Sequence, residues 1–475
     1  MRFDRTSVLD NFLRNFSYAF AANLVQMAVS ALIVLLIPKI FGVSDYGYWQ
    51  LYLLYFSYVG SIQLGWCDGV YLRYSGKNYK DLDGNLFASQ IGYLIIFYLV
   101  MSSLIMLLVN VFFSENFNIT IMSLTLVAGL MTTPRGFLFY VLQGTSRITE
   151  FAKMNILEKL SFVFILVGFF FAGLRSFEYI ILADILGKLI SLMGTIYICR
   201  DIVFKKWNSS RKNLIEAYKN IDAGIKLMIA NIASSLIIGV VRFSIEQAWG
   251  LEVFGKISLT LTISNLVMIF INSIGIVIFP MLKRVSHEKL SDLYIIIRNI
   301  LMALLFLSLV FYYPLKMVLS AWLPEYAESL KYMALLFPIV IFESKTSLLI
   351  NTYLKSLRKE KNMLYINVGT VILSLGTTYL TINVFDSLTG VISSIVFLLA
   401  IRSIIAELFI GRLLDFSVLK DIIFELVLTV IFMVSSWSIG GIWGLIVYMT
   451  FYGLYLLLKK DQIKQSLKEL QVMKK

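Results

Sequence analysis

Five cationic side chains fall deep inside apolar stretches of this chain: Arg135, Lys188, Arg242, Lys345 and Arg402. A charge at such depth is costly unless it meets a partner or a polar cavity, so each one marks a place where something anionic is held. A guanidinium suits phosphate, whose oxygens its fork grips in two places. Lys159, Lys188 and Arg402 have Glu158, Asp184 and Glu407 close by in sequence, which favours structural pairing. Lys226, Lys256 and Arg298 lie near the ends of apolar stretches and are expected to reach the headgroups. Arg242 and Lys345, facing each other, with Arg135, are left as the cations for an anionic ligand.

Uncharged polar residues add to this set. At 100° per residue, Gly224, Asn231, Ser234, Ser235, Arg242 and Glu246 fall on one helical face. Asn15, Asn23, Gln26 and Ser30 form a like stripe near the N-terminus, and Ser57, Gly60, Ser61 and Asp68 a third. Such stripes line water or another helix, not lipid. Asn23 and Asn231 are therefore candidate ligand contacts. Asp68 and Glu246 are candidates for binding a coupling ion, because a desolvated carboxylate titrates readily. A plainer reading stands beside this one. Small and polar stripes also serve helix packing, as Gly65 and Gly69 could, and Arg242 with Glu246 could form a self-neutralising pair one turn apart.

Enzymatic and metal chemistry find no foothold. There is no GxxxxGK[ST] phosphate loop, no GxSxG elbow and no HExxH. The single histidine, His287, lies in a basic loop, and Cys67 and Cys199 have no metal-ligand spacing. No catalytic residue, metal site or cofactor is expected.

The elements that must position these residues are transmembrane helices. Of the 475 residues, 59% are hydrophobic and 15% charged, far from the balance of a soluble domain. The spans read as 12–38, 46–71, 84–112, 119–142, 153–173, 177–199, 223–248, 254–281, 291–315, 332–354, 362–384, 388–411, 418–436 and 440–458. That is an all-α polytopic membrane protein with about fourteen helices, most of them long enough for the hydrocarbon core. The net charge of +13 is concentrated in alternate loops. With the N-terminus inside, about 29 basic residues lie on the cytoplasmic side and about four outside. Both termini are expected in the cytoplasm of a bacterial inner membrane. A leader peptide is not expected, because the first apolar run is long enough to stay and span.

The chain resembles itself at a distance of 208 residues: Ala22-Asn23 matches Ala230-Asn231, and Gly42 with Gly47 matches Gly250 with Gly255. Two six-helix lobes in parallel repeat follow, 1–200 and 223–412, joined by a basic cytoplasmic linker, 201–222. Two further helices and a basic tail occupy 413–475. Parallel repeats of this kind occur in secondary transporters, with the substrate between the halves.

The passages FGVSDYGYWQLYLLYFSYVGSIQLGWCDGVYLRY and VVRFSIEQAWGLEVFGKISLTLTISNL resemble the corresponding parts of Wzx-type oligosaccharide flippases, over roughly residues 11–412. These belong to the wider exporter superfamily that includes the MATE antiporters and the peptidoglycan lipid flippases. The carrying features are the repeated glycine turn, the LGW…G…LRY end of the second helix and the arginine on the seventh. The family often shows Asp-Arg there, where this chain has Val241-Arg242. The resemblance implies a MATE-like fold. It implies movement of undecaprenyl-diphosphate-linked oligosaccharide to the periplasmic leaflet, for O-antigen or other surface polysaccharide, by alternating access. It implies a cavity lined largely by helices 1, 2, 7 and 8, and a groove for the lipid tail at helices 13 and 14. Expected partners are that lipid, membrane lipid, H+ or Na+ as coupling ion, and a polysaccharide polymerase and chain-length regulator, with no nucleic acid. A multidrug cation antiporter of the same fold would want acidic residues in its N-terminal lobe. A polymerase or ligase would want a large external loop. The chain offers little of either.

Overall fold

The computed structural model describes residues 28–113, 117–207, 210–275 and 290–473. Among them every regular element is helical, and no strand occurs. Asn23 and His287 lie outside the described residues. The chain divides into two compact units, Met1–Ile232 and Ala233–Lys475.

The first unit contains α1 (Ala28–Ile40), α2 (Val43–Phe56), α3 (Trp66–Tyr74), α4 (Gly84–Phe112), α5 (Ile119–Gly144), α6 (Ile148–Phe171), α7 (Phe177–Ile198) and the short α8 (Arg200–Val203). The helix Arg211–Gly275 is interrupted at Gly250, whose φ of 78° and ψ of 176° are not helical. We number its parts α9 (211–249) and α10 (251–275). Residues 211–232 of α9 belong to the first unit. The second unit continues with α11 (Leu290–Ser308), α12 (Tyr312–Trp322), α13 (Met333–Leu336), α14 (Ile339–Ser344), a π-helical turn (Lys345–Ile350) and α15 (Asn351–Ser356). It ends with α16 (Glu360–Asn383), α17 (Leu388–Leu413), α18 (Leu419–Val434), a second π-helical turn (Ser435–Ile439) and α19 (Gly441–Met473).

Local chemistry sets several boundaries. Asp83 caps α4 by accepting from the amides of Asn85 and Leu86, and Asn118 and Ser387 cap α5 and α17 in the same way. Along α6 and α7 the backbones approach through small residues. A methyl group on Gly187 would lie 3.0 Å from the Glu158 carbonyl, and Ser191 donates to the Met154 carbonyl at 2.9 Å.

Ten of the described helices are long and apolar enough to cross a membrane, or eleven with the bent pair Ser329–Leu336 and Ile339–Ser356. The chain is a multi-pass membrane protein. The difference from about fourteen expected spans arises at identifiable places. The first expected span is described only from residue 28, and the seventh and eighth count once, as Arg211–Leu266.

The second expected span, 46–71, is not a continuous helix. It breaks between α2 and α3, where Leu64 and Gly65 both take positive φ, 52° and 77°. The reason is close packing. A Cβ on Gly65 would sit 2.6 Å from the Gly224 backbone, and one on Gly69 would overlap the Asn220 carbonyl. Only glycine permits that approach, and it brings α3 against the start of α9.

Candidate functional site

In the first unit the buried charges meet in one cluster. Arg135, from α5, forms an ion pair with Glu158 of α6. Lys188, from α7, pairs with Asp184 one turn before it and lies 3.8 Å from Glu158. Tyr52 of α2 donates its hydroxyl to Asp184 Oδ2 at 2.6 Å. Aromatic faces cover the cations: Lys188 Nζ lies 4.5 Å from the Phe56 ring centre, and Arg135 lies 5.0 Å from that of Phe139. Two cations and two carboxylates thus satisfy one another inside the bundle. Arg135 was expected to meet an anionic ligand; the structure gives it Glu158 instead. Lys188 with Asp184 is the pairing read from sequence.

The second unit holds a larger lattice. Lys345 opens the first π-helical turn and is fully buried. Its ammonium donates to Glu407 Oε2 at 2.8 Å and to Glu425 Oε2 at 2.7 Å. Arg298 donates through Nε to Glu407 Oε1 at 2.6 Å, pairs with Glu425, and lies 3.5 Å from Asp421. Tyr294 adds a hydrogen bond to Glu407 at 3.1 Å. At the rim, Lys459 of α19 pairs with Asp421. Three expectations are corrected here. Lys345, expected to meet an anionic ligand opposite Arg242, is neutralised by two carboxylates of its own chain. Arg298 does not reach the headgroups: it is 2% exposed and held by carboxylates on α17 and α18. Arg402 pairs with Glu343 at 2.7 Å and donates to Ser234 Oγ at 2.8 Å, and Glu407 is taken by other cations. Glu343 and Lys345, two residues apart, point to different faces and serve different pairs.

Arg242 is placed otherwise. It is half-buried on α9, eight residues before the Gly250 break. It donates to Ser258 Oγ of α10 at 3.1 Å and lies 5.4 Å from the Phe254 ring centre. Ser258 and Phe254 escaped notice in the sequence, because nothing there shows how α10 folds back along α9. Glu246, half-buried, accepts from the Gln247 side chain at 2.7 Å. Asn231, on the same stripe, is exposed.

Asp68 sits in the first turn of α3, buried, with the Tyr140 hydroxyl 3.5 Å away. A polar lattice surrounds this end of α3. Trp66 donates to Gln90 at 2.9 Å, Gln90 donates to the Asn213 carbonyl at 2.8 Å, and Arg73 pairs with Glu216 at 2.6 Å and with Asn220. Among the described residues no group of three or more His, Cys, Asp and Glu side chains is arranged to hold a metal ion.

The fold is shared with known membrane proteins. A structure titled "Lipid II flippase MurJ, inward closed conformation" matches with a TM-score of 0.62 at 16% identity, over 94% of this chain and 99% of the other. The inward-facing conformation of a multidrug resistance MATE family transporter of the MOP superfamily matches with a TM-score of 0.56 at 13% identity, over 82% of this chain and 97% of that one. A MATE crystallised in complex with MaD3S matches at 0.55 and 12%, over 84% and 95%. The chain therefore has the MATE/MurJ-like fold. No sequence-family model matches it, and no curated protein matches it by sequence.

Proposed function

We propose that this chain is a flippase that moves a lipid-linked oligosaccharide, carried on undecaprenyl diphosphate, from the cytoplasmic to the periplasmic leaflet of a bacterial inner membrane. It works by alternating access, with both termini in the cytoplasm, and serves O-antigen or other surface polysaccharide assembly. The observation that carries this reading is the extent of the fold match. The lipid II flippase accounts for 94% of the chain and the multidrug transporter for 82%, so the architecture that includes the C-terminal helices is that of a protein whose title names a lipid-linked cargo.

Arg242 is the cation we assign to the diphosphate. It lies on a polar stripe, is half-buried, and its guanidinium reaches Ser258 Oγ and the face of the Phe254 ring. A guanidinium so placed offsets the desolvation of a phosphate oxygen. Asn231 and Asn23 supply neutral contacts, and Asp68 or Glu246 binds the coupling ion, H+ or Na+. Arg135 and Lys345 have no part in this assignment, since carboxylates neutralise both.

The test uses the full chain reconstituted in vesicles containing undecaprenyl-diphosphate-linked oligosaccharide, with exposure of the sugar in each leaflet as the readout. The wild type should equilibrate the lipid, Arg242→Lys should keep part of the rate, and Arg242→Ala should keep about a tenth or less, as loss of one charge-assisted contact implies. Tm should stay unchanged. An Arg242→Ala protein that is unstable and recovers when Glu246→Ala is added would show a structural pair instead. A wild type that leaves the lipid in place and exchanges cationic dyes would replace the flippase by a multidrug antiporter.

A further inference from the structure

The stretch that joins the expected lobes reads as a basic loop in water, yet it packs against the first unit and turns apolar side chains outward. Several of its residues are fastened to the first unit. The Tyr79 hydroxyl donates to Asp201 at 2.9 Å, and Ile202 is buried. The Trp207 ring lies across Gly92 of α4, 3.5 Å from where a Cβ would stand, and meets Tyr93 edge-on at 6.0 Å between ring centres. Gly92 is eight residues inside a helix that is long and apolar enough to span, so Trp207 is drawn toward the apolar layer.

The first turns of α9 are amphipathic in the wrong sense for water. The side toward the protein carries Asn213, Glu216 and Asn220, held by Gln90 and Arg73, with Ala217 buried among them. The side away from it carries Leu214, Ile215 and Tyr218, all exposed, Tyr218 to 69%. Just upstream, Phe204 is 75% and Trp207 54% exposed. Exposed cations accompany this apolar face: Arg200, Lys205 and Lys206 before it in sequence, and Arg211, Lys212 and Lys219 on the same turns of α9. Of the three carboxylates in the stretch, Asp201 is engaged by Tyr79, Glu216 by Arg73 and Lys219, and Asp222 is exposed. An outward apolar and aromatic face edged by basic side chains is complementary to a bilayer surface with negative headgroups. The rings sit at headgroup level and the cations meet phosphate.

We propose that residues 200–207 and 211–219 form a docking surface for anionic phospholipid headgroups in the leaflet we place on the cytoplasmic side. The surface belongs to one unit and does not depend on what the protein carries. Its test therefore reads lipid proximity and not transport. Cys67 and Cys199 are both buried, so a thiol-reactive dye goes to a Tyr218→Cys variant of the full chain. The labelled protein is reconstituted in phosphatidylcholine vesicles containing an equal mole fraction of nitroxide-labelled phosphatidylglycerol or nitroxide-labelled phosphatidylcholine. Phosphatidylglycerol should quench the dye at least about threefold more strongly, from the attraction of several basic residues near the surface. Replacing Lys205, Lys206, Arg211 and Lys212 together by Gln should bring the two lipids to equal quenching. Equal quenching of the parent by both lipids would overturn headgroup selection, and no quenching by either would overturn the membrane contact itself. A preference that survives the fourfold replacement would overturn the role given to these cations.

Discussion

In the first unit, Arg135, Lys188, Glu158 and Asp184 meet across α5, α6 and α7, all inside residues 119–198. In the second, Arg298 and Lys345 meet Glu407 and Glu425, with Asp421 and Lys459 at the rim, and the partners come from α11, the π-helical turn, α17, α18 and α19. Both clusters are charge-balanced, as buried ions must be. They differ in what they join. The first ties three consecutive helices of one block. The second reaches beyond residue 412 and fixes the two last helices, α18 and α19, to the helices before them. Buried charge in both clusters thus fastens helices, within one block in the first unit and out to α18 and α19 in the second. Arg242, half-buried beside Ser258 and Phe254, is the cation we propose for cargo.

The strongest way to break this comparison is to remove the carboxylate that both large-cluster cations share. Glu407→Gln leaves Lys345 and Arg298 with one fewer counter-charge at side chains that are 2% exposed or less. It should cost about 3–5 kcal/mol, the usual penalty for an uncompensated buried charge. The measurement is thermal unfolding of the purified protein, with abundance in the membrane as a second readout. Adding Lys345→Met should restore most of the loss, because a matched pair can be replaced by apolar groups of similar volume at little cost. Equal Tm for Glu407→Gln and the parent would mean that the lattice does not hold the unit together.

The same experiment in the first unit should give a smaller effect. Glu158→Gln deprives Arg135 of its partner, but Lys188 keeps Asp184, and Asp184 keeps Tyr52. The Arg135 side chain also retains 11% exposure, so its charge is less completely desolvated. About 3 kcal/mol is expected, at the low end for a broken buried pair. A loss larger than that of Glu407→Gln would reverse the ranking of the two clusters.

The sequence made some of this legible and hid the rest for physical reasons. Hydropathy located the spans, because lipid demands unbroken apolar runs, and the spacing of four between Asp184 and Lys188 announced their pair. It did not reveal the break at Leu64-Gly65, since a left-handed leucine leaves no mark on composition. The glycine spacing that did show, Gly65 with Gly69, was legible as packing, but the partner, the backbone of α9 at Asn220 and Gly224, is over 150 residues away. For the same reason Arg298 read as an end-of-helix snorkel and Lys345 as a ligand contact. Their carboxylates lie 62 to 127 residues further along the chain, and nothing local joins them. Arg402 shows the error in the other direction. The nearest acid in sequence, Glu407, belongs to Arg298 and Lys345, and Arg402 takes Glu343.

The smallest expected effect sharpens the claim that the second cluster anchors the last helices. Among the described residues, Lys459 and Asp421 form the one ion pair in that lattice made by α19, and they lie at its margin. The Asp421 side chain is 18% exposed, against 2% or less for Glu407, Glu425, Lys345 and Arg298. Solvent screens such a pair, and Lys459 also has Gln462 at 2.6 Å. Lys459→Gln should therefore cost only about 1 kcal/mol. The helix would still be held by Tyr448 and Tyr452, which donate to the Phe306 and Ala303 carbonyls at 2.7 and 2.9 Å. Its signature should be local. Hydrogen exchange in the part of α19 after residue 459 should quicken by about fivefold, the kinetic equivalent of that energy, while α18 keeps its protection through Glu425. If exchange quickens equally along α18 and α19, the rim pair is part of the core lattice and the division between anchor and margin is wrong. If neither helix changes, Lys459 contributes nothing to docking α19, and that helix's contacts to α11, from Tyr448, Tyr452 and the Asn299–Ser466 hydrogen bond, hold it.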